Sequence, residues 1–183
     1  HFHTEISQKI FSQLYHNGFL EEKEVTQLFC PSINRFVADR FITGKCPKCG
    51  DMNARGDQCD KCQAVYESIE IIDPHLKGDS SAVLEIRNSR HLFLRLDILQ
   101  PKIETWFNEV KTKWPANAIA ITEEWLEKGL KPRCITRDME WGTPLPDDVE
   151  IEGKEHKVMY NWFDAPIGYI SISGADNSSW WQN

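Results

Sequence analysis

The sequence predicts an α/β fold: a β-rich module carrying cysteine knuckles, inserted between helical flanks that end in a buried strand. Three observations predict it. Apolar residues recur at helical spacing near the start and again from Pro101 onward. Between these stretches lie β-forming residues broken by Pro and Gly, with two Cys-x-x-Cys pairs among them. Residues 157–163 are apolar on both faces, as in a strand covered on both sides in a parallel sheet.

The elements follow in order. Residues 4–16 form a helix, with Ile6, Ile10 and Leu14 four apart and Phe11 on the same side. Thr4 caps its start and Asn17-Gly18 stops it. Val25, Phe29, Phe36, Val37, Phe41 and Ile42 mark short strands, interrupted at Pro31 and Gly44. Residues 64–72, 82–86 and 91–96 are further strands, and 73–81 is a loop of Pro, Gly, Asp and Ser. A helix opens at Pro101, carries Ile103, Phe107, Val110 and Trp114, and ends at Pro115. A second is capped by Thr122, holds Trp125, Leu126 and Leu130, and stops at Gly129 and Pro132. Residues 142–153 form an acidic loop with two prolines before the strand at 157–163, where Asn161 is the awkward residue in the apolar pattern.

The chain has 183 residues, of which 40% are hydrophobic and 27% charged, an ordinary globular balance that allows one large domain or two small ones. A formal net charge of -7 argues against a domain devoted to nucleic acid, which would be basic. No apolar run is long enough to span a membrane. The first residues, His1-Phe2-His3-Thr4, are neither a signal peptide nor a start methionine, so the chain reads as a piece of a longer one.

Four of the six cysteines form Cys46-Pro-Lys-Cys49 and, nine residues on, Cys59-Asp-Lys-Cys62. Each pair makes a tight turn that points two sulfurs and several backbone N–H groups at one ion. Four thiolates give a tetrahedral zinc site with Zn–S distances of about 2.3 Å and no open position, which makes its role structural. Lys48 and Lys61 offset part of the negative charge, and Gly50 and Gly56 allow unusual backbone angles beside the knuckles. Close pairs in an ordinary chain point to a reducing, cytoplasmic setting. Two alternatives stay open. An iron–sulfur cluster takes four cysteines and would colour the protein brown. A redox Cys-x-x-Cys stands singly at a helix start, unlike these pairs. Cys30 and Cys134 have no spaced partners and read as buried small apolar residues.

Residues 135–146, Ile-Thr-Arg-Asp-Met-Glu-Trp-Gly-Thr-Pro-Leu-Pro, and residues 162–169, Trp-Phe-Asp-Ala-Pro-Ile-Gly-Tyr, resemble the methionyl-tRNA synthetase family of class I aminoacyl-tRNA synthetases in its eukaryotic and archaeal branch. Phe36-Val-Ala-Asp-Arg-Phe41 and Gly56-Asp-Gln-Cys-Asp-Lys-Cys62 resemble that family's zinc-bearing connective insert. The resemblance covers nearly the whole chain. It implies a partial Rossmann-like catalytic domain with an inserted zinc-knuckle module: a catalytic-domain helix at 1–22, the connective insert at 23–97, and returning helices with a catalytic-domain strand at 98–183. It implies that Trp162, Ala165, Pro166 and Tyr169 line a methionine pocket, an apolar and aromatic environment that suits a thioether. It implies that Arg137 lies near the adenylate and stabilises charge on the reacting carboxylate and phosphate. From the residues alone, Asp138 pairs with it or caps a turn, and a surface ion pair is an equal reading for both. The parent would use methionine, ATP with Mg, and tRNA(Met).

The sequence departs from that family in places. Cys30-Pro-Ser-Ile33 keeps one knuckle cysteine and lacks its partner, so a second zinc is not expected. Asn161 stands where an apolar residue is usual and needs a partner if buried. No His-Ile-Gly-His type signature, no Lys-Met-Ser-Lys-Ser type loop and no anticodon-binding helical domain precede the end at Trp180-Trp181-Gln182-Asn183, so the isolated chain is expected to lack adenylation activity. A stand-alone zinc-ribbon interaction module is the rival reading, with the 162–169 aromatics as core or as partner-binding surface.

Overall fold

The computed structural model describes residues 2–174; the terminal Trp180-Trp181 lies outside the described residues. The chain falls into two units, one formed by residues up to Lys23 together with those from His91 onward, the other by Glu24–Arg90. Two long strands, β1 (Leu20–Cys30) and β6 (Glu85–Leu94), carry the backbone from one unit into the other.

In the first unit, α1 (Phe2–His16) buries Phe11 among Leu92, Ile135, Leu145, Val149 and Met159. The Phe11 ring meets Phe163 edge-on with centroids 5.6 Å apart. The helix stops where expected: Gly18 adopts φ 75°, and the Phe19 N–H returns to the Leu14 carbonyl at 2.9 Å. Its start differs from expectation. Thr4 lies inside the first turn, because the helix already includes Phe2. The C-terminal half of α1 straps the loop at 142–153: Ser12 and His16 both donate to the Asp148 carboxylate, at 2.8 and 2.7 Å.

Helix α2 (Leu96–Val110) begins five residues before Pro101, which sits inside it. The missing N–H at Pro101 leaves the Asp97 carbonyl without its helical partner, yet the element continues because its apolar side buries Phe107. Helix α3 (Ala116–Glu127) is likewise longer than expected. Pro115 is its N-cap, and Thr122 is mid-helix, its hydroxyl bonded back to the Ala118 carbonyl at 2.8 Å. Gln100 joins the two helices. Its amide donates to the Leu126 carbonyl at 2.9 Å, and its oxygen accepts the Leu130 N–H at 2.6 Å, so one side chain caps the end of α3.

β7 (Arg133–Cys134) pairs antiparallel with β6 through Phe93 and Leu94. β8 (Thr136–Asp138) pairs antiparallel with β9 (Lys157–Met159). All three residues of β9 are buried, but the ladder is antiparallel and ends at Met159, not at residue 163. The chain turns at Tyr160, whose carbonyl accepts the N–H groups of Phe163 (2.8 Å) and Asp164 (3.2 Å), opening α4 (Asn161–Asp164). Asn161 is therefore an exposed helix-start residue whose carbonyl accepts the Ala165 N–H, and it creates no buried polar orphan. Pro166 then leads into α5 (Ile167–Gly174), the position where a fixed φ favours a helix start.

The second unit is built on a three-stranded sheet in the order β4 (Ala54–Arg55), β3 (Ile42–Lys45), β5 (Ile72–Leu76). β2 (Arg35–Phe36) pairs with the end of β1. The expected strand at 64–72 is displaced. Glu67 and Glu70 form a reciprocal capping box around a 3-10 turn at Ser68–Glu70, so the chain re-enters the sheet only at Ile72. β5 then runs through Pro74 into the stretch expected to be a loop. An edge strand tolerates Pro, since one side of it needs no ladder donor. The expected strands at 82–86 and 91–96 are one strand, β6, with Leu96 already in α2.

Candidate functional site

The core of the second unit reaches the cysteine knuckles directly. Cys46 and Cys59 belong to the same buried cluster as Leu28, Ile42, Ala54 and Tyr66, whereas Cys49 and Cys62 are exposed. The four sulfurs all lie within 4.8 Å of one another. Cys46 and Cys62 approach to 3.8 Å, and Cys49 and Cys59 to 3.6 Å, so each close pair joins the two knuckles. A tetrahedral ion with four sulfurs at about 2.3 Å has S···S edges of about 3.8 Å. Two of the six sulfur–sulfur edges thus match that tetrahedron, and the four sulfurs could hold a metal ion. A cluster that places its cysteines on separate irons would hold them further apart.

The two knuckles share one backbone design. In the first, Gly50 adopts φ 76°, its N–H reaching the Cys46 carbonyl at 3.1 Å, and Cys46 N–H bonds to Asp51 at 2.7 Å. In the second, Gln63 takes φ 61°, its N–H reaching the Cys59 carbonyl at 2.9 Å, and Cys59 N–H bonds to Ala64 at 3.0 Å. Glycine announced the first turn in the sequence; nothing announced Gln63 as left-handed. Gln63 is held there by its amide on the Asp60 carbonyl at 3.0 Å. Gly56 has an ordinary φ, contrary to expectation, and is required for another reason: a Cβ there would lie 2.5 Å from the Asp39 carbonyl oxygen.

The electrostatics also suit a cation. Burial opposes charge on Cys46, but the N–H groups of Cys49 (3.4 Å) and Lys48 (3.3 Å) point at its sulfur and bring the thiol down to about 6. At Cys49 an N–H from Asp51 lowers the value, but burial and the three neighbouring sulfurs outweigh it and push the thiol up to about 12. Four thiolates at this spacing repel one another until a cation joins them. Tyr66, buried beside them, is pushed up to about 12 by desolvation and then by the nearby sulfurs, and its hydroxyl donates to the Arg55 carbonyl at 2.7 Å. Cys30 is fully buried, with Ser32 Oγ 3.2 Å from its sulfur, as a small core residue should be.

The remaining sequence-predicted site residues fall in the first unit. Trp162 lies on α4 and is 71% exposed; Tyr169 lies on α5 and is 74% exposed; Ala165 and Pro166 are exposed between them. These four are on helices and their junction, not on a strand end. Arg137 is on β8, with its guanidinium 3.9 Å from the centroid of the Tyr160 ring and donating to the Thr136 carbonyl at 2.7 Å.

Sequence reasoning missed a buried polar network beside Arg137. Asp138 accepts from Lys157 Nζ at 2.5 Å and from His91 Nε2 at 2.9 Å. His91 Nδ1 lies 2.9 Å from Thr136 Oγ1, which also accepts the Leu92 N–H at 3.1 Å. The side chains of His91 and Lys157 are each only 2% exposed. Burial works against charge on Asp138, but the bonds from His91 and Lys157 prevail and hold its carboxyl far below the ordinary range. Burial likewise opposes charge on His91, and Asp138 and then Cys134 raise it nonetheless. Cys134 is lowered in turn: burial opposes its charge, and His91 overcomes that. It is half-buried, not buried, and its thiol lies 3.4 Å from the Thr136 carbonyl. The only sequence signals were a lysine opening an apolar strand and an Asp two residues after a Thr.

The fold is that of known synthetases. Over 97% of this chain and 29% of that one, it superposes on the crystal structure of Mycobacterium tuberculosis methionyl-tRNA synthetase bound by methionyl-adenylate, with a TM-score of 0.59 at 16% identity. The apo form of that synthetase gives 0.57 over 96% of this chain and 30% of that one, also at 16% identity. Residues 1–183 match the family described as tRNA synthetases class I (M), and the chain belongs to that family. It is 47% identical over 185 residues to "Methionine--tRNA ligase, cytoplasmic" of Saccharomyces cerevisiae, covering 98% of this chain and 24% of that protein. It is 46% identical to the Homo sapiens protein of the same name, covering 98% of this chain and 20% of that protein. The chain spans a quarter or less of the length of these relatives. A family match over the whole chain disfavours a stand-alone zinc-ribbon module.

Proposed function

We propose that this chain serves a cytoplasmic methionine–tRNA ligase, in which methionine is activated with ATP and Mg and then transferred to tRNA(Met). The observation that carries the reading is the family match along the whole chain, joined to identities of 46–47% with methionine–tRNA ligases. Among the described residues no helix is long and apolar enough to cross a membrane, which is compatible with the cytoplasmic names of the relatives. Residues 1–22 and 98–183 would belong to a Rossmann-like catalytic domain, and 23–97 to an inserted connective module.

Within that reading, Cys46, Cys49, Cys59 and Cys62 hold one zinc ion. Zinc with four thiolates has no position left for substrate, so it staples the module and takes no part in chemistry. Trp162, Ala165, Pro166 and Tyr169 contact the methionine side chain. The exposed aromatic faces of Trp162 and Tyr169 offer sulfur–aromatic contact, and the Ala-Pro junction admits a ligand close to the backbone. Arg137, braced by Tyr160 and two carbonyls, stabilises negative charge as the carboxylate attacks the α-phosphate.

The test is a chimaera in which these 183 residues replace the aligned segment of the yeast enzyme. It should catalyse methionine-dependent ATP–pyrophosphate exchange, while the isolated chain should not. A folded, zinc-loaded chimaera without exchange activity would overturn the reading.

A further inference from the structure

Asp138 is the junction of three strands. His91 reaches it from β6, Lys157 from β9, and its own strand β8 supplies Thr136 to the other side of the His91 ring. An ionised carboxylate only accepts, so His91 Nε2 carries the proton that faces it. Thr136 and Asp138 both engage His91 and therefore occupy one face of β8. Arg137, between them, leaves on the opposite face, where its guanidinium lies over Tyr160. The same short strand is thus clamped from one face by buried charges and presents an arginine from the other. Main-chain bonds tighten the clamp: Arg137 pairs with Val158, Met139 N–H reaches His156, and Tyr160 N–H reaches Ile135 at 2.8 Å.

Buried ion pairs are costly to assemble, and apolar residues of similar volume would hold a strand as well. A charged, hydrogen-bonded junction instead defines one geometry, since each of the bonds to Asp138 has a fixed direction. We infer that Asp138 is a positioning residue: through its buried junction with His91 and Lys157 it fixes β8 so that Arg137 is aimed at the reacting carboxylate and phosphate. The inference rests on the role proposed above for Arg137.

Two measurements test it, one of them independent of activity. In the isolated chain, the Arg137 Nε–H proton should carry a ring-current shift from Tyr160. Asp138→Asn should move that signal to the position of a free arginine; an unmoved signal overturns the inference even if the chimaera proves inactive. In an active chimaera, Asp138→Asn should lower kcat for pyrophosphate exchange about 100-fold, as a misaimed group does, with little change in KM for methionine. In an Arg137→Gln background the same change should cost roughly twofold or less, because the two residues act as one unit. Equal losses in both backgrounds, or no loss in the first, would be fatal to it. If Asp138→Asn does not fold, Asp138→Leu with Lys157→Met and His91→Leu removes all three partners of the junction together, leaving no orphaned charge. That variant should fold with a melting temperature near the parent's and remain slow; parental kcat in it would sink the inference.

Discussion

Gly56 shows how a single missing methyl group shapes the cysteine-bearing unit. A Cβ there would stand 2.5 Å from the Asp39 carbonyl oxygen and 3.0 Å from Ile42 Cβ, and Ile42 is fully buried. Neither neighbour is a flexible side-chain end. Gly56→Ala should therefore cost about 1–3 kcal/mol, the usual penalty for overpacking, read as a lower melting temperature of the second unit. At Asp138 the expected effect depends on pH. Its carboxyl is held below the unfolded value of about 3.9, so the unfolded state binds more protons in acid. Its contribution is full above that value and is lost as pH falls toward the folded pKa, at no more than about 1.4 kcal/mol per pH unit. Asp138→Asn should flatten the acid limb of the stability curve of the first unit below about pH 4; an unchanged limb would refute the assignment. At this scale the sequence is legible where covalent spacing limits the options. Two close Cys-x-x-Cys pairs have few uses, and the sulfurs do converge. Gln63 and the Asp138 junction were not legible. A left-handed glutamine and a buried lysine are each stabilised by partners distant in sequence or unusual in type.

Elements were legible in kind more than in extent. α1 ended at Asn17-Gly18 because that stop is local chemistry. α2 began before its proline because its apolar side buries Phe107, whereas α3 began before Thr122 because Pro115 already serves as its N-cap. The 157–163 run failed as a strand after Met159 since Tyr160 closes a turn on Phe163 and Asp164, which no hydrophobic count detects. Thr122 gives a clean discriminating experiment. A capping threonine loses about 1 kcal/mol on conversion to alanine. A mid-helix threonine bonded back to Ala118 should lose nothing, or gain a few tenths of a kcal/mol from better helix propensity. Thermal denaturation of Thr122→Ala is expected to show the second result. Gln100→Ala should behave in the opposite sense. It removes two hydrogen bonds that cap the end of α3 and should cost about 1–3 kcal/mol.

At the scale of the molecule, two separate cores matter more than any one contact. Phe11, Leu92, Ile135, Leu145, Val149 and Met159 form one cluster; Leu28, Ile42, Ala54, Tyr66, Cys46 and Cys59 belong to another, and among the described residues none is shared. The second core includes half of the proposed metal ligands, so its packing and the ion are not independent. Without the ion, the four thiols close a small cluster whose own sheet has short strands, with Leu28 and Cys30 added from the end of β1. Such a unit folds on metal binding energy as much as on burial. Chelation should therefore expose the amides of residues 42–66 to hydrogen exchange while those of α1, β8 and β9 stay protected. Cys46→Ser should produce the same pattern without chelator, because it removes a ligand that is also a core residue. In the proposed ligase, methionine-dependent exchange would then fall only as far as the module's collapse disturbs the catalytic side, since the ion touches no substrate. If instead the metal-free chain keeps residues 42–66 protected, or loses protection in both units together, the ion is not a local staple, and the structural role assigned to the four cysteines is wrong.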